Sequence, residues 1–117
     1  MSIAADLIRG HTDTIILAQL RQKDNYGYQI NHTIKQVTGN RYELKEATLY
    51  TAFRRLEEAG YISSYWGEGD AGARRRYYSI TQRGVEAYER MMEEWRSANE
   101  IITKLIEPQT VEVTEKR

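Results

Sequence analysis

The sequence predicts a mainly α-helical fold with one small β-hairpin and a long C-terminal helix. Apolar residues recur at helical spacing through most of the chain. Residues with high strand propensity flank a glycine-rich loop over residues 67–73, and the last apolar pattern continues for about three heptads. The length of 117 residues and the hydrophobic fraction of 40% are sufficient for one domain with its own core.

Composition and motifs exclude several classes of protein. The chain has no cysteine, which excludes disulfide scaffolds, thiol catalysis and Cys-based metal sites. His11 and His32 form no metal-ligand spacing, and no glycine loop has the spacing of a phosphate-binding motif. No apolar run approaches the roughly 20 residues that span a bilayer, and residues 1–10 lack a signal-peptide pattern. We therefore expect a cytoplasmic protein that is not an enzyme and that needs no cofactor or metal.

Charge is distributed unevenly along the chain, although 17 basic and 17 acidic side chains balance in total. Residues 1–85 hold 12 basic and 9 acidic side chains, a net charge of +3, and residues 86–117 have a net charge of −3. DNA responds to the local field of one face and not to the total charge. Zero net charge therefore does not exclude a nucleic-acid partner.

Two helices are predicted in the first forty residues. The apolar stripe over Leu7–Leu20 predicts one helix that ends near Gln22. Asp24 or Asn25 can cap a second helix, which Gly39-Asn40 ends.

A third helix is predicted over Glu46–Ala59 and ended by Gly60, after a segment, Tyr42–Leu44, that is long enough only for a strand fragment. The spacing i, i+4, i+7 places three apolar residues on one buried face: Leu49, Phe53 and Leu56. The open face carries groups that contact phosphates and base edges when a helix enters a major groove. These candidate DNA contacts are Thr48, Tyr50, Thr51, Arg54 and Arg55. The alternative is an amphipathic helix whose polar face is merely solvated.

Residues Tyr61–Trp66 and Arg74–Ile80 are predicted to form the two strands of the hairpin. Because side chains alternate along a strand, Tyr78 should face the core. A basic cluster begins the second strand and can contact the DNA backbone. Its members are Arg74, Arg75, Arg76 and Tyr77. Alternatively, these arginines belong to a solvated turn and pair with Glu68 and Asp70.

The last helix is predicted to begin after Thr81, its cap, and to end before Pro108. Spacings of 3 and 4 residues alternate along an apolar seam: Val85, Tyr88, Met92, Trp95, Asn99, Ile102 and Ile106. A helix of roughly 25 residues is about 38 Å long, which is more than a domain this small can cover. A two-fold homodimer would bury the seam. The expected interface is Leu7, Ile8, Tyr88, Met92, Trp95, Asn99, Ile102 and Ile106; the alternative is a seam packed within one subunit.

The predicted order of elements is helix, helix, short strand, helix, hairpin, helix, which is that of a winged helix-turn-helix. We expect this unit over residues 1–80, with the start of its first helix also at the dimer interface. The dimerisation helix is expected over residues 81–107, and residues 108–117 are expected to form a flexible tail.

Trp95 has two interpretations. It is either a packed interface aromatic or a platform for a flat hydrophobic ligand between two subunits. The expected lining of such a ligand site is Trp95, Met91, Met92 and Asn99.

Five segments resemble the PadR-like transcriptional regulators and together span nearly all of residues 8–106. They are Tyr26–Ile30, Ala47–Tyr50, Arg55–Ile62, Arg74–Tyr78 and Ser79–Gly84. The chain is most similar to the short members of that family with a single C-terminal helix, including multidrug-sensing repressors.

The resemblance implies a winged helix-turn-helix homodimer that binds a palindromic operator on double-stranded DNA and represses transcription, often of an efflux or detoxification gene. It implies that Tyr50 and Arg54 of the recognition helix and Arg74–Arg76 of the wing contact DNA. It also implies that Trp95 lines a pocket between subunits for planar aromatic or cationic compounds. Two other functions stay open: a winged-helix protein-interaction module without DNA binding, and a small-molecule sensor without operator activity.

Overall fold

The protein has the predicted fold class in the computed structural model, which describes residues 3–69 and 72–108. Helices and a small antiparallel sheet alternate in these ranges, and a long helix ends them. The elements are α1 Ile3–Arg9, α2 Thr12–Gln22, β1 Asn25–Tyr26, α3 Gly27–Val37, α4 Glu46–Glu58, β2 Ile62–Glu68, β3 Arg74–Ile80 and α5 Gln82–Ile106. Of the tail expected over residues 108–117, all but the first residue lies outside the described residues.

The first predicted helix is in fact two helices. The prediction of one continuous helix over Leu7–Leu20 is wrong, because α1 ends at Arg9 and α2 begins at Thr12. The Thr12 hydroxyl donates to the Arg9 carbonyl at 2.8 Å and uses the acceptor that a continuous helix would offer to an amide in the next turn. Gly10 lies at the break and has a low helix propensity.

The sheet has three antiparallel strands in the order β1–β3–β2. Strands β2 and β3 form the predicted hairpin, with Trp66 opposite Arg76. Asn25, a predicted helix cap, instead pairs with Tyr78 in β1. The N-cap position before α3 is occupied by Tyr26, which makes no side-chain capping bond. The short strand β1 thus joins the turn between α2 and α3 to the wing.

The strand fragment predicted at Tyr42–Leu44 does not form. Both backbone groups of Leu44 bond to the side chain of Asn31 on α3: the Leu44 amide donates to Oδ1 at 2.8 Å, and Nδ2 donates to the Leu44 carbonyl at 2.7 Å. One amide side chain therefore satisfies the backbone that a neighbouring strand would otherwise satisfy.

The core lies between α2, α3, α4, the first turns of α5 and the sheet. Its buried apolar residues are Ile16, Leu17, Leu20, Ile30, Ile34, Leu44, Leu49, Ala52, Phe53, Leu56, Ile62, Tyr78 and Ala87. The predicted buried face of α4 and the inward direction of Tyr78 are thereby confirmed. Phe53 stacks on Tyr78 with ring centroids 3.9 Å apart, so α4 is joined directly to the wing.

The junction between the wing and α5 depends on Gly60 and Thr81. Gly60 ends α4 with a φ of 81°, a conformation that favours glycine. The Thr81 hydroxyl accepts a hydrogen bond from the Gly84 amide at 3.1 Å and donates one to the Gly60 carbonyl at 2.6 Å. The predicted cap at Thr81 is confirmed, and the same hydroxyl ties the end of α4 to the start of α5.

An alanine at Gly84 is expected to destabilise the fold by about 1–3 kcal/mol through overpacking. Gly84 is buried, and an added Cβ would overlap the Tyr61 carbonyl oxygen and lie 2.7 Å from Cγ1 of Ile80. Urea unfolding of G84A and of S97A, a control at an exposed position of the same helix, measures the change in free energy of unfolding. Equal midpoints for the two variants would contradict this prediction.

Candidate nucleic-acid interface

The outward face of α4 carries most of the predicted DNA contacts. Thr51 and Arg54 are exposed, Thr48 is half-buried, and 43% of the Tyr50 surface is exposed. Within the described part of the chain, no carboxylate lies within ion-pair distance of Arg54. Its guanidinium is therefore available to a ligand, with hydroxyl and phenol groups beside it on the same helix.

Tyr50 is held at the start of this face by two contacts. Its ring meets the edge of Phe53, with centroids 5.6 Å apart and an interplanar angle of 70°. Its hydroxyl lies against Gly27, where an added Cβ would be only 2.7 Å from Oη of Tyr50. The absence of a side chain at Gly27 thus leaves room for the phenol of Tyr50 in this place.

We expect Gly27→Ala to lower DNA affinity about fivefold while changing the free energy of unfolding by less than about 1 kcal/mol. The added methyl displaces the Tyr50 ring, but alanine is also the better helix former. Fluorescence anisotropy with labelled DNA measures the affinity. In a Tyr50→Ala background the same substitution should have no further effect, and an equal loss in both backgrounds would rule out this explanation.

Arg55, the next residue along α4, is engaged by an acid. Both Nε and Nη2 donate to the Asp13 carboxylate on α2, and the Nε–Oδ2 distance is 3.2 Å. The hydrogen bond with Asp13 raises the pKa of Arg55 above its ordinary value. Sequence reasoning missed this pair because 42 residues separate its members.

The three wing arginines each lie over an aromatic ring. The guanidinium carbon of Arg74 is 5.1 Å from the centroid of Trp66, that of Arg75 is 4.5 Å from the centroid of Tyr26, and that of Arg76 is 5.9 Å from Trp66. Stacking leaves the N–H edges of a guanidinium able to bind anions. The wing thus holds its guanidinium groups in defined places, which sequence reasoning did not predict.

Arg76 is also tied to α4. Its Nη2 donates to Oγ of Ser64 at 2.8 Å and lies 3.8 Å from Oε1 of Glu57, while Oγ of Ser64 donates to Oε2 of Glu57 at 2.8 Å. The predicted alternative, in which the wing arginines pair with Glu68, is not seen among the ion pairs of the described residues, and Asp70 lies outside those residues. Glu57 at the end of α4 is thus bound to side chains of both long strands.

Tyr77, a predicted DNA contact, lies half-buried in an aromatic cluster on the outer face of the sheet. Its ring centroid is 5.3 Å from that of Tyr26 and 5.6 Å from that of Tyr65. Tyr65 donates to Oδ2 of Asp24 at 2.6 Å, and this bond raises the pKa of Tyr65. Tyr78, on the opposite face, has a pKa raised by burial. The cluster braces the wing against the turn before α3.

A second site is an apolar groove between α1–α2 and α5. It is lined by Leu7, Ile8, His11, Thr14, Ile15, Ala18, Met92 and Trp95. Of the other residues predicted to bind a ligand, Met91 lines an adjoining recess with Trp95, and Asn99 lines neither space. The residues contributed by α2 were not predicted, although their spacing of 3 and 4 places them on one helical face.

The C-terminal part of α5 presents uncovered apolar side chains. The exposed fractions are 55% for Ile101, 52% for Ile102, 75% for Leu105 and 74% for Ile106. Tyr88, also a predicted interface residue, packs against the core of its own chain. The described residues therefore cover the seam near the start of α5 and not near its end.

The part of the chain that the structure describes has neither a metal site nor a membrane-spanning helix. No group of three His, Asp or Glu side chains in residues 3–69 and 72–108 could hold a metal ion. None of the helices in those ranges is long and apolar enough to cross a membrane. His11 lies beside the groove, and His32 stacks on Tyr28 with centroids 6.1 Å apart.

Known proteins resemble this chain in sequence and structure. Residues 16–90 match the family described as the Transcriptional regulator PadR-like family. A transcriptional regulator from Clostridium thermocellum is 46% identical, with a TM-score of 0.82 over 91% of this chain and 100% of that one. A PadR family transcription regulator from Clostridium difficile is 35% identical, with a TM-score of 0.71 over 83% of this chain and 99% of that one. An uncharacterized protein from Lysinibacillus sphaericus is 42% identical over 105 residues, which are 90% of this chain and 96% of the relative.

Proposed function

Because the chain belongs to the PadR-like family of transcriptional regulators, we propose that it acts as a homodimeric repressor on a palindromic DNA operator. Members of this family regulate transcription and are not enzymes. We propose that the gene it controls encodes an efflux or detoxification protein. Repression is relieved by a planar aromatic compound of the kind that this protein exports or degrades.

One observation carries the DNA-binding part of the proposal: a guanidinium without an ion-pair partner in the described chain lies on an exposed helix face, next to a wing of stacked arginines. Arg54 supplies the first group, and Arg74 and Arg75 of the wing supply the others. We assign base readout to Arg54 with Thr48, Tyr50 and Thr51, because Arg forks and hydroxyls match base edges in a major groove. The wing arginines contact phosphates, which position the protein without reading sequence.

The uncovered end of α5 supports the homodimer. Ile102 and Ile106 belong to the predicted seam, and Ile101 and Leu105 widen it; all four are more than half exposed in a single copy. A second copy related by two-fold symmetry would cover the same residues on both chains. Half-sites one DNA turn apart then require recognition helices about 34 Å apart.

The groove beside Trp95 supports the planar ligand. Its indole is 43% exposed, and Met92 lies next to it as an adaptable wall. Glu94 lines the adjoining recess, which favours a cationic ligand. A second subunit placed across the seam would close the groove with its own indole. A ligand that binds one dimer geometry better than another would change operator affinity.

Gel-shift titrations with the DNA that flanks the gene of this protein test the proposal, at several salt concentrations and with and without a planar cationic dye. We expect a shift whose affinity falls with salt, because phosphate contacts release counterions, and a weaker shift when the dye is present. A salt-independent shift, or none with any fragment, would favour a protein-interaction module. For the ligand site, the W66F variant leaves Trp95 as the one indole, so its fluorescence quenching reports dye binding beside Trp95. Unchanged dye affinity in Trp95→Ala would contradict the ligand site but not the DNA-binding part of the proposal.

A further inference from the structure

We infer that Asp13 is a positioning residue for DNA binding, which sets the orientation of the recognition helix α4 by holding Arg55. The inference rests on the proposed function and gives Asp13 a role in DNA binding that requires no contact between Asp13 and DNA. It also changes the role of Arg55, which is predicted from the sequence to contact DNA.

The geometry of the pair supports this role. Two N–H groups of Arg55 point at the two oxygens of one carboxylate, the fork arrangement that fixes both the distance and the plane of an Arg–carboxylate pair. The side chain of Asp13 is 29% exposed and that of Arg55 is 53% exposed, so the pair is partly shielded from water. In the described chain this is the one polar contact between α2 and α4.

Apart from Glu57, which is bound to Ser64 and lies near Arg76 of the wing, the other side chains that hold α4 against the body of the protein are apolar. Leu49, Phe53 and Leu56 hold the helix against the core, and such contacts are not directional. A bidentate ion pair near the end of the helix restrains rotation about its axis. Arg54 is the neighbour of Arg55 in the chain, so a rotation of α4 moves Arg54 directly.

Two roles for Arg55 predict opposite results when Asp13 is neutralised. If Arg55 binds a DNA phosphate, D13N releases the guanidinium and operator affinity rises. If Arg55 acts through Asp13 to orient α4, D13N removes the restraint and operator affinity falls. R55K also separates the roles, because lysine keeps the positive charge that a phosphate binds but cannot form the bidentate pair with Asp13. A phosphate contact predicts unchanged operator affinity in R55K, and an orienting role predicts lower affinity.

The experiment compares D13N, R55Q, R55K, the double variant D13N/R55Q and the exchanged pair D13R/R55D. Each binds two probes in anisotropy titrations: the duplex flanking the gene of this protein and a random duplex of the same length. D13N, R55Q and R55K should each lower operator affinity about fivefold, with unchanged affinity for random DNA and an unchanged salt slope. The double variant should lose no more than a single one, and D13R/R55D should recover most of the loss. E93Q, which removes one acidic charge from α5, is the matched control.

Several outcomes would overturn the inference. Tighter binding by D13N, or full affinity in R55K with a salt slope lowered by about 1 in R55Q, would assign Arg55 to a phosphate. Lower thermal midpoints with an unchanged ratio of operator to random affinity would make the pair merely stabilising. If D13R/R55D does not fold, the single variants and D13N/R55Q still distinguish the orienting role of Arg55 from a phosphate contact. If the wild-type protein does not distinguish the two probes, the proposed function fails and this inference with it.

Discussion

Replacing Arg54 with alanine should weaken operator binding by about 5- to 150-fold and reduce the preference for the operator over random DNA, because one bidentate base contact is worth about 1–3 kcal/mol. Arg54 is exposed on α4, and the described chain offers it no ion-pair partner. The large effect follows from its position, since the buried face of the same helix fixes which groups point outward.

Anisotropy titrations against operator and random duplexes measure both effects of R54A. Arg74→Ala is the comparison: it should weaken binding to both duplexes and lower the salt slope by about 1, as expected for a phosphate contact. Arg90→Ala removes an exposed arginine from α5 and should change neither affinity. If R54A binds the operator as tightly as wild type, α4 is not the reading element.

Replacing Ile102 with glutamate should dissociate the dimer and with it remove operator binding. A charge in the uncovered apolar part of the seam would have to be buried without a partner in the dimer, which costs several kcal/mol. Operator affinity depends on two half-sites bound together, so a monomer loses the avidity of the second half-site, which is worth about 10²–10⁴-fold in affinity.

Sedimentation velocity at micromolar concentration measures the mass of I102E, and anisotropy measures its affinity for the operator. Ser97→Glu adds the same charge at an exposed position outside the seam and should stay dimeric with normal binding. A wild-type protein that sediments as a monomer, or an I102E variant that stays dimeric, would place the interface elsewhere.

The features that sequence reasoning found are those whose signal is periodic and local. Leu49, Phe53 and Leu56 repeat at the helical period, and the structure buries all three on one face of α4. Thr81 precedes a long helix and does accept the capping bond from Gly84. The assignment of DNA, ligand and partner contacts to particular residues stays a prediction.

The features that it missed depend on partners distant in the chain. The strand β1 could not be predicted, because its two residues are too few to show a period. It forms because Asn25 and Tyr26 pair with β3. The strand fragment predicted at Tyr42–Leu44 is absent because Asn31 takes the backbone bonds of Leu44. The break at Gly10 depends on a hydroxyl bond from Thr12 that competes with the helix.

Local spacing was sufficient to specify α3, α4, the hairpin and the outward face of α4, and spacing together with the Thr81 cap specified α5, because backbone geometry repeats over a few residues. Only the tertiary structure decided which partner each arginine contacts. Arg54, Arg55 and Arg76 look alike in sequence, yet one has no acidic partner in the described chain, one is held by Asp13 and one is bound to Ser64 near Glu57. The physical reason is that an ion pair or a stacking contact needs its partner within a few ångströms, and that distance is set by packing across the core rather than by position along the chain.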